Sequence, residues 1–237
     1  MKIVLDIETI HCTKEEWARL KGIALLCEEE VPDLLAAGEA AEQDKEYEKS
    51  CFESTFCQVV CIGGIILSDA FEPQEAVAWY GSNERELLRQ FWARIGQLRP
   101  SLFITHNGLG FDFPILRNRS IIQQVKPSVD ISLARYRTDP VFDTLAVWSN
   151  WEARNRIKLD VLARVLGCET KSGSGDQVAD MWKAGRGKDI AQYCLRDCYV
   201  TYACYSRMNF REPLDSEKVL FSPTLIEIMN SAPPDAA

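Results

Sequence analysis

The sequence predicts an α/β fold, a mixed sheet with helices on both faces. Three observations carry this. The segment 57–69 is a near-continuous apolar run, as expected of a strand covered on both sides, and 2–9 is an apolar strand interrupted only by Asp6 and Glu8 after Lys2. Three strand-like segments come first, and helix and strand alternate afterwards. The 237 residues suffice for one α/β domain with a full core and an insertion.

The elements follow in order. "KIVLDIET" (2–9) reads as a strand. Residues 12–50 read as helices rich in Glu and Ala, broken at Val31-Pro32. "CQVVCIGGIILSD" (57–69) is a second strand, and its Gly63-Gly64 pair predicts a bulge or a close approach. "EAVAWY" (75–80) is a third. In 83–98, Leu87, Leu88, Phe91, Trp92 and Ile95 recur at helical spacing behind Asn83, a predicted N-cap. "SLFITHN" (101–107) returns to strand, and "DFPILRNRSII" (112–122) is a helix with Pro114 in its first turn. "PVFDTLAVW" (140–148) fits a short strand or a short helix. "KLDVLARVLG" (158–167) is a helix ended by Gly167, 172–176 is a loop, and 187–208 is a long helix. The tail 231–237 is expected to be disordered. No repeat and no linker divides the chain.

The first strand poses a chemical question. Alternation puts Val4, Asp6 and Glu8 on one face and Ile3, Leu5 and Ile7 on the other. Two carboxylates then sit roughly 7 Å apart on a strand that reads as buried. Either that face is wet, at a sheet edge, or a cation lies between them and offsets repulsion and desolvation.

Bulk properties narrow the options. No run of about 18 apolar residues predicts a membrane span, and the N-terminal stretch, interrupted by Asp6 and Glu8, does not read as a signal peptide. Nine cysteines without a CxxC pair read as reduced core thiols, which points to the cytoplasm. Cys57 and Cys61 are four apart, as are Cys194 and Cys198, but neither His11 nor His106 lies at zinc-ligand spacing from them. The net charge of -8 excludes a globally basic nucleic-acid binder. The charge is uneven: residues 14–54 carry a net of -7 and residues 113–160 a net of +3, a strip compatible with transient contact to a polyanion.

Two further sites join Asp6 and Glu8. "THNGLGFDFPIL" puts Asp112 at the mouth of a helix just after a strand, with Asn107 to hold the loop and Gly108 and Gly110 to let it turn. Tyr193 and Asp197 are four apart and share one face of the long helix. Four carboxylates from three elements suit a pair of hard divalent cations.

These residues resemble a known family. D-I-E at 6–8, N-x3-F-D at 107–112 and Y-x3-D at 193–197 look like the three motifs of the DEDD 3′–5′ exonuclease superfamily. Its tyrosine branch, DEDDy, carries Tyr four residues before the last Asp; Gln192 stands where the other branch has His. The stretch from Lys158 to Asp197 further resembles bacterial stand-alone exonucleases related to the exonuclease domain of family B DNA polymerases. The resemblance covers about 1–10 and 57–208 and implies a ribonuclease H-like mixed sheet of five to six strands. On it, residues 1–208 form the exonuclease domain with an acidic helical insertion at about 12–56, and 209–237 form a C-terminal extension and tail.

The resemblance also implies a function: Mg2+- or Mn2+-dependent hydrolysis of single-stranded DNA from a free 3′ end to nucleoside 5′-monophosphates, consistent with DNA repair. Asp6, Glu8 and Asp197 would hold one ion, Asp6 would bridge to a second, and Asp112 would act through that ion's waters. Tyr193 would orient the attacking water, since a phenol of pKa about 10 is a poor base alone. Thr9 and Ile10 would meet the terminal nucleotide, with Asn107, Phe111, Phe113 and Lys158 as further nucleic-acid contacts. Arg117, Arg119, Arg154, Arg156 and Lys171 are expected at backbone phosphates, and Asp143 and Asp160 are expected to be structural. Two alternatives stand beside this: an exoribonuclease with the same site, and a non-catalytic nucleic-acid- or partner-binding module on the same fold.

Overall fold

Strand β1 (Lys2–His11) runs through the middle of the molecule, and its alternation separates two cores. The computed structural model describes residues 1–25, 34–130, 132–170 and 178–229, without the side chains of 34–37 and 153. Val31-Pro32, Lys171, the loop 172–176 and the tail 231–237 lie outside the described residues.

β2 (Cys57–Leu67) pairs antiparallel with β1 and with β3 (Pro73–Gly81). β4 (Leu102–Thr105) lies parallel to β1, and β5 (Val141–Asp143) parallel to β4. β6 (Thr224–Ile228) adds parallel to β3, giving one mixed six-stranded sheet in the order β5-β4-β1-β2-β3-β6. β6 comes from the segment read as an extension, so residues beyond Met208 help to build the sheet. Gly81 makes this pairing possible: its φ of +147° is a backbone region open to glycine, and a Cβ there would lie 1.8 Å from the Ile228 carbonyl oxygen.

One face of β1 buries Ile3, Leu5 and Ile7 against α3 (Glu84–Leu98) and α4 (Asp112–Ile122). The α3 stripe Leu87, Leu88, Phe91, Trp92 and Ile95 is buried there, and the Asn83 side chain caps the helix by accepting from Glu86 N at 3.0 Å. Each such apolar side chain contributes roughly 1.5–3 kcal/mol on burial. The other face places Val4 under α6 (Leu159–Val165), α7 (Val178–Lys183) and α8 (Gly187–Met208). Gly167, just past α6, takes φ +67°, as a helix end requires. The segment 140–148 is both strand and helix: β5 passes directly into α5 (Thr144–Trp148). α9 (Ser216–Val219) precedes β6.

Residues 12–56 contain α1 (Lys14–Lys21) and α2 (Leu34–Lys49), followed by a short 3₁₀ turn at 50–52. Ion pairs Lys14–Asp44 and Lys21–Glu46 join the two helices. The Tyr47 hydroxyl lies 2.7 Å from His11 Nδ1 and 2.9 Å from the Cys12 carbonyl oxygen, fixing α2 to the end of β1. No described helix is long and apolar enough to cross a membrane.

Candidate active site

The carboxylates gather where β1 outruns its neighbour. β4 pairs with β1 only as far as Val4, so from Asp6 onward that side of β1 is free of strand. The register with β2 shifts at the same place: Glu8 pairs with Cys61 and Thr9 with Val59, so Val60 is an extra residue on β2. The loop after β4 delivers Asp112 there, at the first residue of α4. Asn107 turns this loop with φ +68°, a conformation Asn tolerates. A Cβ on Gly108 would meet the Thr105 side chain at 2.2 Å, so only glycine allows so tight a turn.

Asp143 holds the loop from below. Its buried carboxylate accepts from the backbone N–H groups of Asn107 (2.9 Å), Leu109 (3.0 Å), Leu145 (3.0 Å) and Ala146 (3.2 Å). It thereby caps α5 and fixes the approach to Asp112, the structural role expected of it. Asp160 lies in the first turn of α6.

On the opposite side, α8 comes close to the sheet. Gly63 is the register partner of Asp6, and a Cβ on it would lie 2.8 Å from Cys194 Sγ and 3.2 Å from Cys198 Sγ. The predicted close approach is therefore this helix contact. It packs α8 on the sheet with Asp197 buried and Tyr193 half-buried one turn earlier, and Asp197 acts on Asp6 electrostatically. Cys194 Sγ lies 3.4 Å from Asp6 Oδ2, and donor atoms of Asp6, Glu8 and Cys194 all lie within 4.8 Å of one another.

The electrostatics record the crowding. Burial pushes the Asp6 carboxyl well above the usual carboxylate range, and the neighbouring Cys194, Glu8, Asp112 and Asp197 push it the same way. Burial likewise raises Asp112 to about 8; the charge of Asp143 adds to this, while the backbone N–H groups of Asp112 and Ile7 oppose it. The four carboxylates, drawn from β1, α4 and α8, thus meet electrostatically at Asp6.

Several expected nucleic-acid contacts are not at this place. Phe113 is 1% exposed and packs edge-on against Phe103 at 5.6 Å, so it offers no surface for a base. Ile10 is buried in the core on the α8 side of the sheet. Arg119 is buried in a two-point ion pair with Glu84 (2.9 and 2.6 Å), which also accepts from Val59 N and Gln123 Nε2; it is a structural cation, not a phosphate contact. Arg117 is exposed on α4, at a separate cleft with Pro127 and Leu133. Asn107 accepts from Arg156 at 2.7 Å and so braces its loop. Lys158 and Arg154 are exposed. Thr9 donates to the Cys51 carbonyl at 2.7 Å, and Thr9 and Phe111 both line a cleft of about 500 Å³ that includes Glu8.

Cys194, expected as a core thiol, also stands beside Asp6, a place that the sequence reading did not give it. Its signal was present: it lies between Tyr193 and Asp197 in a helix whose buried face also carries Cys198. Burial holds Cys198 and the nearby Cys61 protonated, as expected of core thiols.

Comparison with known proteins bears on all of this. Residues 50–227 match the family described as "Predicted 3'-5' exonuclease related to the exonuclease domain of PolB". Over 144 residues, 51% of this chain, the sequence is 28% identical to a DNA polymerase of Pyrococcus horikoshii, of which the match covers 11%. It is 26% identical over 140 residues to a DNA polymerase of Pyrococcus glycovorans, covering 51% of this chain and 18% of that one. The match thus spans less than a fifth of either polymerase's length. The structure of the family B DNA polymerase from the hyperthermophilic archaeon Pyrobaculum calidifontis aligns with a TM-score of 0.55 at 16% identity, over 88% of this chain and 24% of that one. This likeness shows the fold, an α/β ribonuclease H-like sheet with helices on both faces.

Proposed function

Because the chain belongs to the family of 3′–5′ exonucleases related to the exonuclease domain of PolB, we propose that it removes nucleotides from the free 3′ end of single-stranded DNA as nucleoside 5′-monophosphates. The observation that carries this reading is that Asp6 and Glu8 share one small volume on β1 and that Asp112 and Asp197, from two further elements, act on the Asp6 carboxyl electrostatically. Such a cluster costs stability unless a cation neutralises it. The donors are suitable: carboxylate oxygens suit hard divalent ions, and those of Asp6 and Glu8 share one small volume.

Asp6, Glu8, Asp112 and Asp197 would hold two ions, Mg2+ or Mn2+. When bound, such ions supply positive charge to the non-bridging and leaving oxygens of the phosphodiester and acidify water. The chain's own residues do the rest. Tyr193, one helical turn before Asp197, hydrogen-bonds the attacking water and fixes its line of approach, the role that defines the tyrosine branch. The Asp143-braced loop holds Asp112 in place. The cleft beside Glu8 takes the terminal nucleotide. The free thiols, among them Cys57, Cys61 and Cys198, fit a reducing compartment such as the cytoplasm.

The test is digestion of 5′-labelled single-stranded DNA, RNA and mismatched duplex side by side, with Mg2+, with Mn2+ and with EDTA. Single-stranded DNA should shorten stepwise from its 3′ end, EDTA should stop the reaction, and Asp6→Ala should abolish it. Faster digestion of RNA would transfer the reading to an exoribonuclease. Cleavage of circular single strands, or full activity in EDTA, would refute it.

A further inference from the structure

The segment 12–56 connects β1 to β2, and its final residues reach the candidate active site. We propose that they form the outer wall of the terminal-nucleotide pocket and that Phe52 stacks on the 3′-terminal base of a DNA strand. This inference rests on the exonuclease reading of the same site.

The cleft of about 500 Å³ is the size of a small-ligand site. Glu8 and Thr9 line it from β1, Lys49 from the end of α2, Phe52 from the 3₁₀ turn, Phe111 from the loop before α4, and Lys183 from α7. Nucleotide chemistry needs this combination: a ring for the base, cations for phosphate, and a carboxylate at the scissile end. Phe52 is 61% exposed. A single exposed aromatic is ordinary on a protein surface; the position of this one is not. Its centroid lies 6.1 Å from that of Phe111, the rings tilted by 56°, so the two aromatics of the cleft are neighbours while much of Phe52 stays open.

The wall is fixed on three sides. Thr9 donates to the Cys51 carbonyl at 2.7 Å, which binds the 3₁₀ turn to β1 directly after Glu8. Cys12 N donates to the Phe56 carbonyl at 2.8 Å. Asn118 Nδ2 donates to Ser54 Oγ at 2.8 Å, tying the segment to α4. A platform so held loses little conformational entropy when a base stacks on it. Lys49 and Lys183 line the cleft from different elements, both exposed, and offset the neighbouring Glu48 and Asp180. Their charge suits the phosphates on either side of the terminal nucleotide.

Two readouts test this. The first is a single-stranded oligonucleotide with 2-aminopurine at its 3′ terminus, bound to the Asp112→Asn protein in Mg2+ so that no turnover is needed. Stacking should quench the fluorophore, Phe52→Ala in that background should restore the emission, and Phe52→Trp should keep the quench. The second is steady-state hydrolysis by the otherwise unaltered chain of oligonucleotides ending in a normal or an abasic 3′ residue. Phe52→Ala should raise KM for the base-bearing end by about 5- to 150-fold, the range of one stacked base, and leave the abasic end within about twofold. Equal losses on both ends, or no loss on either, would overturn the proposal. A chain that hydrolyses DNA without quenching keeps the exonuclease reading and loses this pocket. A chain that quenches without hydrolysing keeps the pocket and loses that reading.

Discussion

Asp112→Asn should make the metal-free protein more stable at pH 8 than the wild type, while the two are nearly alike at pH 4. The Asp112 carboxyl is buried, 2% exposed, and its pKa is raised from 3.8 to about 8 in the folded chain. Between those values the folded state keeps a proton that the unfolded state has released. Stability therefore falls as pH rises through this window, by about 1.4 kcal/mol per unit. Over about four units the ceiling is roughly 5–6 kcal/mol, shared with Asp6, whose pKa moves the same way. Asn keeps the shape and removes the charge, so its stability curve should be flatter over the same range. For a chain of this size, about 2–4 °C per kcal/mol puts the gain at pH 8 at no more than about 10–20 °C. Thermal unfolding in EDTA from pH 4 to 8.5 measures it, and Mn2+ should then stabilise the wild type more than the variant. A wild-type melting temperature that rises from pH 5 to 8, or an Asn variant equally destabilised at both, would refute the reasoning.

Tyr193→Phe should lower single-turnover hydrolysis by about 10²–10⁴-fold at saturating Mn2+ and leave metal uptake unchanged, since on the proposed mechanism it removes only a water-positioning hydroxyl; a rate within about twofold of wild type removes Tyr193 from the mechanism. Arg119→Met leaves Glu84 buried without its cation and should cost about 3–5 kcal/mol in urea unfolding, with little dependence on salt. Gly81→Ala forces a glycine-only backbone conformation, which costs about 1–3 kcal/mol before the collision with Ile228. It should release β6, read as faster proteolysis within 224–228.

Periodicity and end signals made much of the fold legible. Alternation in β1, the apolar stripe of α3 behind Asn83, and the unbroken run of α8 each depend on local chemistry alone. β6 was not legible: a five-residue segment with only Ile228 buried resembles a loop until Gly81 offers it an edge. The acidic motifs were legible from their spacing rather than from element ends: Asp112 opens α4, but Asp6 and Glu8 lie inside β1 and Asp197 lies mid-way along α8. The nucleic-acid contacts were harder to read, because spacing along a helix does not say which side chains face the sheet. Phe113 and Arg119 both follow the Asn107 loop closely in sequence, yet α4 turns both into the core, one against Phe103 and one against Glu84. The place of Cys194 was missed for the related reason that only the packed helix brings its sulfur to Asp6.

The glycine opposite Asp6 has a consequence for how this site can vary. The gap between α8 and the sheet is set by one absent methyl group at Gly63 and two small side chains, Cys194 and Cys198, of which Cys194 is the nearer. Positions 63 and 194, the tightest of these contacts, therefore behave as a single compound residue with a fixed total volume. Alanine at 63 alone lifts the helix and carries Tyr193 and Asp197 away from β1. The same alanine beside a smaller residue at 194 returns the helix to its height. Substitutions at 63 and 194 are thus non-additive in their effect on the carboxylate cluster, although neither position need touch a substrate.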